Sequence, residues 1–410
     1  MAKFYMGGIC GMGMAPLSAF LSEDGNSVCG FDDSANSQVQ KYLESYGIDC
    51  QFRNANIADF DSIVISTALK RKIPELKKCG AKDILLRGQC WAKICATRRL
   101  MAVVGSHGKS SVSALSAHVI NKYNLDSGWL VGAIPTNLEM HRYCKENKML
   151  VSEIDESDAT IENFSPEITV ALNADLDHTD TYSGWKALEE MFYRLFERTQ
   201  KYVIFPESDK ILSRVALSFP EKSIPTKTSN NFNETNQILA KTLVEKMFSI
   251  SLPNDAFCDF KGLLRRQEII FDSDNLTVIA DYAHHPTEVA TFLNSFKTQY
   301  KLHKKIIIFQ PHRYTRTKQF AQDFANILDA NATEDTSIYL APVYPASEIF
   351  DSEATSETII KKSKNKSIVL ANCEEIFKII NELKLNTKKT VVAVVGAGDI
   401  YFDIKNFLGK

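Results

Sequence analysis

The chain has no long apolar run. Its longest, such as Ile306 to Phe309 and Val391 to Val395, fall far short of the roughly 20 residues that a membrane-spanning helix needs. It has no excess of one charge: 48 basic against 50 acidic residues leave a formal net charge of −2. Bulk electrostatics therefore favours neither nucleic acid nor an anionic membrane. It has no paired cysteines. The nine are scattered and odd in number, and none has the two-residue spacing of a zinc or redox site. Cys90 and Cys95, with four residues between them, have no second pair. Reduced thiols are expected, and with them the cytoplasm. The apolar start MAKFYMGGICGMGMAPLSAF is broken by glycines and reads as a strand and a turn, not as a signal peptide. There is no repeat array or low-complexity tail, and KKSKNKS (361–367) is expected to be a solvated loop.

What is present is an ordinary globular composition, 44% hydrophobic and 24% charged over 410 residues, enough for two or three domains with cores of their own. One punctuation recurs. KFYMGGICGMG (3–13), LMAVVGSHGKS (100–110) and TVVAVVGAGDI (390–400) are each a strand-like run that breaks into glycines. A continuous apolar run suits a buried parallel strand, and a glycine turn lets the chain enter a helix tightly. Three such units, far apart, predict three α/β domains, divided as 1–97, 98–263 and 264–410. Further strands are expected at 27–32, 62–67, 84–86, 201–205, 276–282, 305–310, 337–343 and 367–371, and helices at 15–21, 37–46, 185–198 and 236–248. The stretch from Ser223 to Asn236 reads as polar and turn-rich.

The corner Gly105-Ser106-His107-Gly108-Lys109-Ser110-Ser111 is the strongest chemical signal. Backbone N–H groups at a helix start favour anions, and glycines let the backbone come close to them. Lys109 adds a point charge for outer phosphates, and Ser110 can ligate Mg²⁺. In VSEIDESDA, the acids Glu153, Asp155, Glu156 and Asp158 follow a strand in the same α/β unit. Glu153, the first of them, is the candidate metal carboxylate. Five of the eight histidines (107, 178, 284, 285 and 312) fall in glycine- or acid-rich clusters. ADYAHHPTE carries Asp281 and the pair His284–His285, either of which can face a site; QPHRYTRT carries His312, Arg313 and Arg316, whose forks suit carboxylates and phosphates. Two neighbouring strands ending in these groups are expected to build one site at a sheet's C-terminal edge. Gly8, Gly11 and Gly13 form GxxGxG, not the GxGxxG dinucleotide fingerprint, although Asp32 ends the next strand at the expected spacing. That supports a diphosphate more than a nicotinamide cofactor.

Taken in order, GGICGMGM, GSHGKSS, SEIDESDA, DLDHTDTY, FKGLLRR, DYAHHPTE, FQPHRYTRT, VYPASE and GAGDI resemble the Mur ligase family over nearly the whole chain. The resemblance implies a Rossmann-like N-terminal domain that binds UDP, a P-loop ATPase-like central domain and a Rossmann-like C-terminal ligase domain. It implies ATP and Mg²⁺, with UDP-N-acetylmuramic acid and L-alanine joined through an acyl phosphate, or a recycled peptide in place of the alanine. By the same resemblance Gly8, Gly11 and Gly13 lie against the UDP diphosphate, with Asp32 and Ser66 near the nucleoside. Lys109 contacts the β and γ phosphates, Ser110 and Glu153 hold one Mg²⁺, and His178 holds a second. Asn236 reaches adenine, Arg266 the phosphates and Asp281 the ribose, while His284, His312, Arg313 and Arg316 meet the amino acid and the developing charge. The sequence departs from the family in two places. The stretch between Tyr182 and Asn233 is short, and the family's HNxxN adenine motif reads FNETN, with Phe232 first. Two other classes compete: a dinucleotide oxidoreductase, resting on the N-terminal glycines and Asp32, and a non-catalytic homologue, resting on the trimmed centre.

Overall fold

The computed structural model describes the chain apart from residues 34–36, 54, 55, 147, 157, 158, 176–181, 230, 347, 386–388 and 410. It forms two compact units, Met1–Lys261 and Gly262–Lys410. The first unit holds two sheets. Strands β1 (Lys3–Gly7), β2 (Ser27–Phe31), β3 (Ser62–Ile65) and β4 (Ile84–Leu86) form a parallel sheet in the order β2-β1-β3-β4. Strands β5 (Arg99–Val104), β6 (Gly128–Leu130), β7 (His141–Arg142), β8 (Met149–Glu153), β9 (Ile168–Ala171), β10 (Tyr202–Pro206) and β11 (Ser223–Thr226) form the second, ordered β11-β10-β9-β5-β8-β6-β7. Only the β6–β7 pair in it is antiparallel. The apolar run of β5 is buried from Leu100 to Val104, as a central parallel strand with helices on both faces must be.

The second unit is one six-stranded sheet of β12 (Glu268–Asp272), β13 (Leu276–Asp281), β14 (Lys304–Phe309), β15 (Thr336–Leu340), β16 (Ile368–Leu370) and β17 (Thr390–Val395), ordered β12-β13-β17-β14-β15-β16. Its outer strand β12 runs antiparallel. Val391, Ala393 and Val395 pack into one apolar layer and Val392 and Val394 into the other. Alternation across the pleat thus lets one strand serve two cores. The α/β class, with a parallel-rich sheet for each glycine corner, agrees with the sequence reading. Three of its details change. Ser223–Thr226 is a strand inside the stretch expected to be turns. The helix expected from Asn236 begins at Phe232, because the Asn231 side chain accepts from the Asn233 and Glu234 N–H groups and starts it a turn earlier. Strands β13 and β14 are not neighbours, since β17 pairs with both.

Candidate active site

Gly8, Lys109, Glu153, Asp281 and His312 each lie at or just beyond the end of a parallel strand. After β5 the chain turns through Gly105 to Gly108 and enters the helix Lys109–Lys122. Gly108 sits at φ +88, and a Cβ there would come 3.1 Å from Phe232 Cζ and 3.2 Å from Asn236 Oδ1. The turn therefore packs directly on the two ends of FNETN, and Asn236 is buried. Asn173, just after β9, straps the turn: it accepts from His107 N and donates to His107 O, both at 2.9 Å. The Ser106 hydroxyl donates to Asp175 O at 2.8 Å, and His107 Nε2 is 3.3 Å from Asp175 Oδ2. Ser111 follows on the first turn of the helix.

Lys109 Nζ donates to Gly105 O at 2.7 Å and lies 3.0 Å from Glu156 Oε2. Burial works against its charge, but Glu156 and Asp155 outweigh it and raise the ammonium above the ordinary lysine range. Ser110 Oγ donates to Glu153 Oε2 at 2.6 Å. Burial raises the Glu153 carboxyl, opposed by Ser110, Lys109 and Arg87. A half-buried carboxylate beside a hydroxyl is a hard-oxygen pair, which fits Mg²⁺. His178, the expected second ligand, lies outside the described residues, as does Asp158. Gly132 closes the back of the carboxylate, since a Cβ there would overlap Glu153 Oε1.

At the first glycine turn, Cys10 N donates to Asp32 Oδ2 at 3.1 Å, and Ser66 Oγ lies beside Gly8. Gly11 N closes back onto Gly8 O at 3.1 Å. The Arg87 guanidinium lies against Gly13 and pairs with Asp155 at 3.2 Å. The N-terminal candidates Gly8, Gly11, Gly13, Asp32 and Ser66 thus form one cluster. Lys109, Ser110, Glu153 and Asn236 form another.

In the second unit, Asp281 ends β13 and is buried. Its carboxylate accepts from Gln267 N at 3.0 Å and Ala283 N at 2.9 Å, and burial pushes its pKa up to about 6 against the pull of Arg266. His284 and His312 meet edge to face at 5.5 Å, although β17 runs between their strands. The sheet edge is compact enough for this because Gly396 N bonds to Asp281 O at 3.0 Å and Gln310 N to Val395 O at 2.9 Å. His312 stacks on Tyr344, and burial, with His284, Arg316 and Arg313 after it, lowers its pKa to about 3. Arg313 is exposed and left-handed at φ 70, held by its N–H to Tyr344 O and by Thr317 N to its own carbonyl. Arg316 lies one turn further along the helix Tyr314–Asn331. Arg266 Nη1 is 3.8 Å from Glu288 Oε1. Of the histidine pair, His284 joins this group, whereas His285 is buried, caps the helix Pro286–Gln299 and packs on Phe320.

Sequence reasoning singled out neither Asn173 nor Gly132, and it passed over Glu288, Tyr344 and Arg265. Arg265 is held by Gly396 O and Gly398 O at 3.1 and 2.8 Å and stands over Tyr282 and Tyr401. Only Arg265 had a signal, the doubled arginine of FKGLLRR.

A strand, a glycine-lysine-serine corner, a helix and a half-buried carboxylate at the end of the neighbouring strand define a nucleotide-binding α/β protein of the phosphate-loop class. The chain belongs to the Mur ligase family: residues 3–99 match the model described as Mur ligase family, catalytic domain, 103–263 the Mur ligase middle domain, and 265–398 the Mur ligase glutamate ligase domain. A UDP-N-acetylmuramate–L-alanine ligase of Hydrogenovibrio crunogenus is 27% identical over 447 aligned positions, covering 96% of this chain and 95% of that one. The solved UDP-N-acetylmuramate–alanine ligase of Thermotoga maritima superposes with a TM-score of 0.80 at 23% identity, covering 100% of this chain and 99% of that one. A murein peptide ligase of Psychrobacter arcticus gives 0.70 at 18%, over 100% and 98%. At such identities the two structures establish a shared fold.

Proposed function

We propose that the chain is an ATP-dependent amide ligase that joins L-alanine to the carboxylate of UDP-N-acetylmuramic acid, with domains at 1–97, 98–263 and 264–410. The observation that carries this is the corner at 105–111, where Lys109 and the Ser110–Glu153 pair lie side by side on a helix start. The near full-length likeness to an alanine-adding relative supports the choice of substrates.

Turn N–H groups and Lys109 hold the β and γ phosphates, with Phe232 and Asn236 behind Gly108 on the adenine side. The muramate carboxylate attacks the γ phosphorus, ADP leaves and an acyl phosphate forms. The free amine of alanine then attacks the acyl carbon, and phosphate leaves with the C–O electron pair while the amine gives up its proton. Ser110 and Glu153 would hold Mg²⁺, which spreads the negative charge that builds on the transferred phosphoryl group. The glycine turn with Asp32 and Ser66 receives the UDP part. Arg313 and Arg316 suit the carboxylate of alanine. His312, kept neutral by its surroundings, and His284 beside it suit the amine. Arg266 and Asp281 are assigned to the nucleotide, and His178 to a second metal.

The test is ADP release by the whole chain with Mg²⁺, ATP and UDP-N-acetylmuramic acid, in the presence of L-alanine, a tripeptide or no acceptor. Release that needs both the sugar nucleotide and alanine is expected. Release with the tripeptide alone would move the chain to the peptide-recycling branch, and no release with any acceptor would refute ligation.

A further inference from the structure

Glu153, Asp155 and Glu156, the described acids of SEIDESDA, do not act as one patch. Glu153 takes the Ser110 hydroxyl at 2.6 Å, and Asp155 pairs with Arg87 at 3.2 Å. Glu156 turns to Lys109, with Oε2 and Oε1 at 3.0 and 3.3 Å from Nζ. It is no surface acid, for its side chain is only 3% exposed. Its backbone is fixed as well: the Glu156 carbonyl accepts from the Tyr182 hydroxyl at 2.8 Å and from Ala159 N at 3.2 Å. Ala159 closes that turn at a left-handed φ of 61. These bonds hold the Glu156 backbone so that its carboxylate meets the Lys109 ammonium.

An ammonium has three N–H donors. Those of Lys109 are directed at Gly105 O (2.7 Å), at the Glu156 carboxylate and, at a longer 3.4 Å, at Ser106 O. A phosphate oxygen that takes a donor from Nζ therefore takes it from Glu156 or from the loop itself. We propose that Glu156 is a positioning residue for phosphoryl transfer: it fixes Lys109 Nζ over the turn, and it competes with the nucleotide's phosphates for that same ammonium. The inference rests on the nucleotide reading above. It gives Glu156 two opposed effects, weakening nucleotide binding and aiming the lysine for the reaction. A neutral side chain there releases Lys109 to the phosphates and removes a like charge beside them, so the nucleotide binds more tightly. The same change leaves Nζ free to swing, so transfer slows.

The experiment is calorimetric titration of the full chain with ADP, in EDTA and in Mg²⁺, for the wild type, Glu156→Gln, Lys109→Gln and the double variant. Glu156→Gln is expected to bind metal-free ADP roughly tenfold more tightly, the scale of one charge-assisted contact, while kcat for ADP release falls. The gain should vanish in the Lys109→Gln background. Unchanged or weaker metal-free binding in Glu156→Gln would overturn the proposal. So would weakening confined to Mg²⁺, which would make Glu156 a metal ligand. Glu156→Asp, which withdraws the carboxylate by one methylene, covers a glutamine variant that does not fold. It should shift binding in the same direction, and weaker binding there would also overturn the idea. A wild type that binds no ADP in either buffer would instead overturn the nucleotide reading itself.

Discussion

Lys109 and Glu153 are half-buried ionisable groups whose charges are kept for different reasons. Lys109 is neutralised by protein acids, whereas burial leaves Glu153 short of positive charge. Lys109→Ala and Glu153→Ala should each cut ADP formation by at least roughly a hundredfold, the usual cost of one preorganised electrostatic contact. The fold should persist, as checked by far-UV circular dichroism. Retained turnover in either variant would remove that residue from the site. In the second unit, buried Asp281 and half-buried His312 are shifted in opposite directions. The Asp281 pKa is raised to about 6, so the stability it contributes is full below the ordinary 3.8 and is lost as pH climbs through 6. The His312 pKa is lowered to about 3, so its contribution is present above the ordinary 6.5 and is lost as pH falls toward 3. Between about pH 4 and 6 the two slopes oppose each other, each bounded by roughly 1.4 kcal/mol per pH unit. Urea unfolding across this window should therefore be nearly flat for these two groups in the wild type. It should slope toward acid stability in His312→Gln and away from it in Asp281→Asn. Matching profiles in the two variants would contradict both shifts. The residues of this pair were legible because they end strands. Of their partners, Tyr344 reaches His312 from a separate segment, which leaves no local spacing, whereas Glu288 stands in the same ADYAHHPTE stretch as Asp281 and was passed over.

At the scale of elements, glycine and cap chemistry decide how accurately the site is built. Gly108 stands at φ +88 against Phe232 and Asn236, so Gly108→Ala adds backbone strain and pushes the turn off its helix. Nucleotide affinity should fall by roughly tenfold for a cost near 1.4 kcal/mol. An alanine variant that binds ADP as tightly as the wild type would show that the turn does not need this contact. Gly132 backs the carboxylate in the same way, and Gly132→Ala must swing Glu153 away from Ser110. The expected result is a roughly tenfold rise in the Mg²⁺ concentration needed for half-maximal activity, as for other outer-shell changes. An unchanged Mg²⁺ requirement would separate Glu153 from the metal. The sequence made the three glycine corners legible, because a strand that breaks into glycines has few other uses. It did not reveal β12, β7 or β11. These are short or peripheral strands, and SIPT at β11 carries a proline, which strands disfavour.

For the whole molecule, chain-long punctuation fixes more than any single motif. Three strand-glycine corners gave three parallel-rich sheets, yet contact density gathers the chain into two units, Met1–Lys261 and Gly262–Lys410. The first two sheets share one apolar core. Phe20 of the N-terminal sheet's first helix meets Trp91 and Tyr143 edge to face, and the Arg98 guanidinium covers its ring. No periodicity announces such a merger, because it depends on how two finished sheets pack. The second unit has its own two apolar layers on either side of β17. Each unit has an apolar core of its own, and the chemistry divides between them: the glycine turns, Lys109 and Glu153 in one, His312, Arg313 and Arg316 in the other. Residues 1–261 expressed alone should unfold cooperatively, bind UDP within about tenfold of the whole chain, and bind ADP more weakly than the whole chain because Arg266 and Asp281 are missing. Residues 262–410 alone should unfold cooperatively too, with the same nearly flat stability between about pH 4 and 6, because both Asp281 and His312 lie in this piece. Neither piece should release ADP in the ligase assay. A first unit that turns over with alanine unaided would place the whole reaction there and leave the histidine and arginine edge without a catalytic part. A first unit that folds but binds neither nucleotide would mean that the glycine corners are structural turns only.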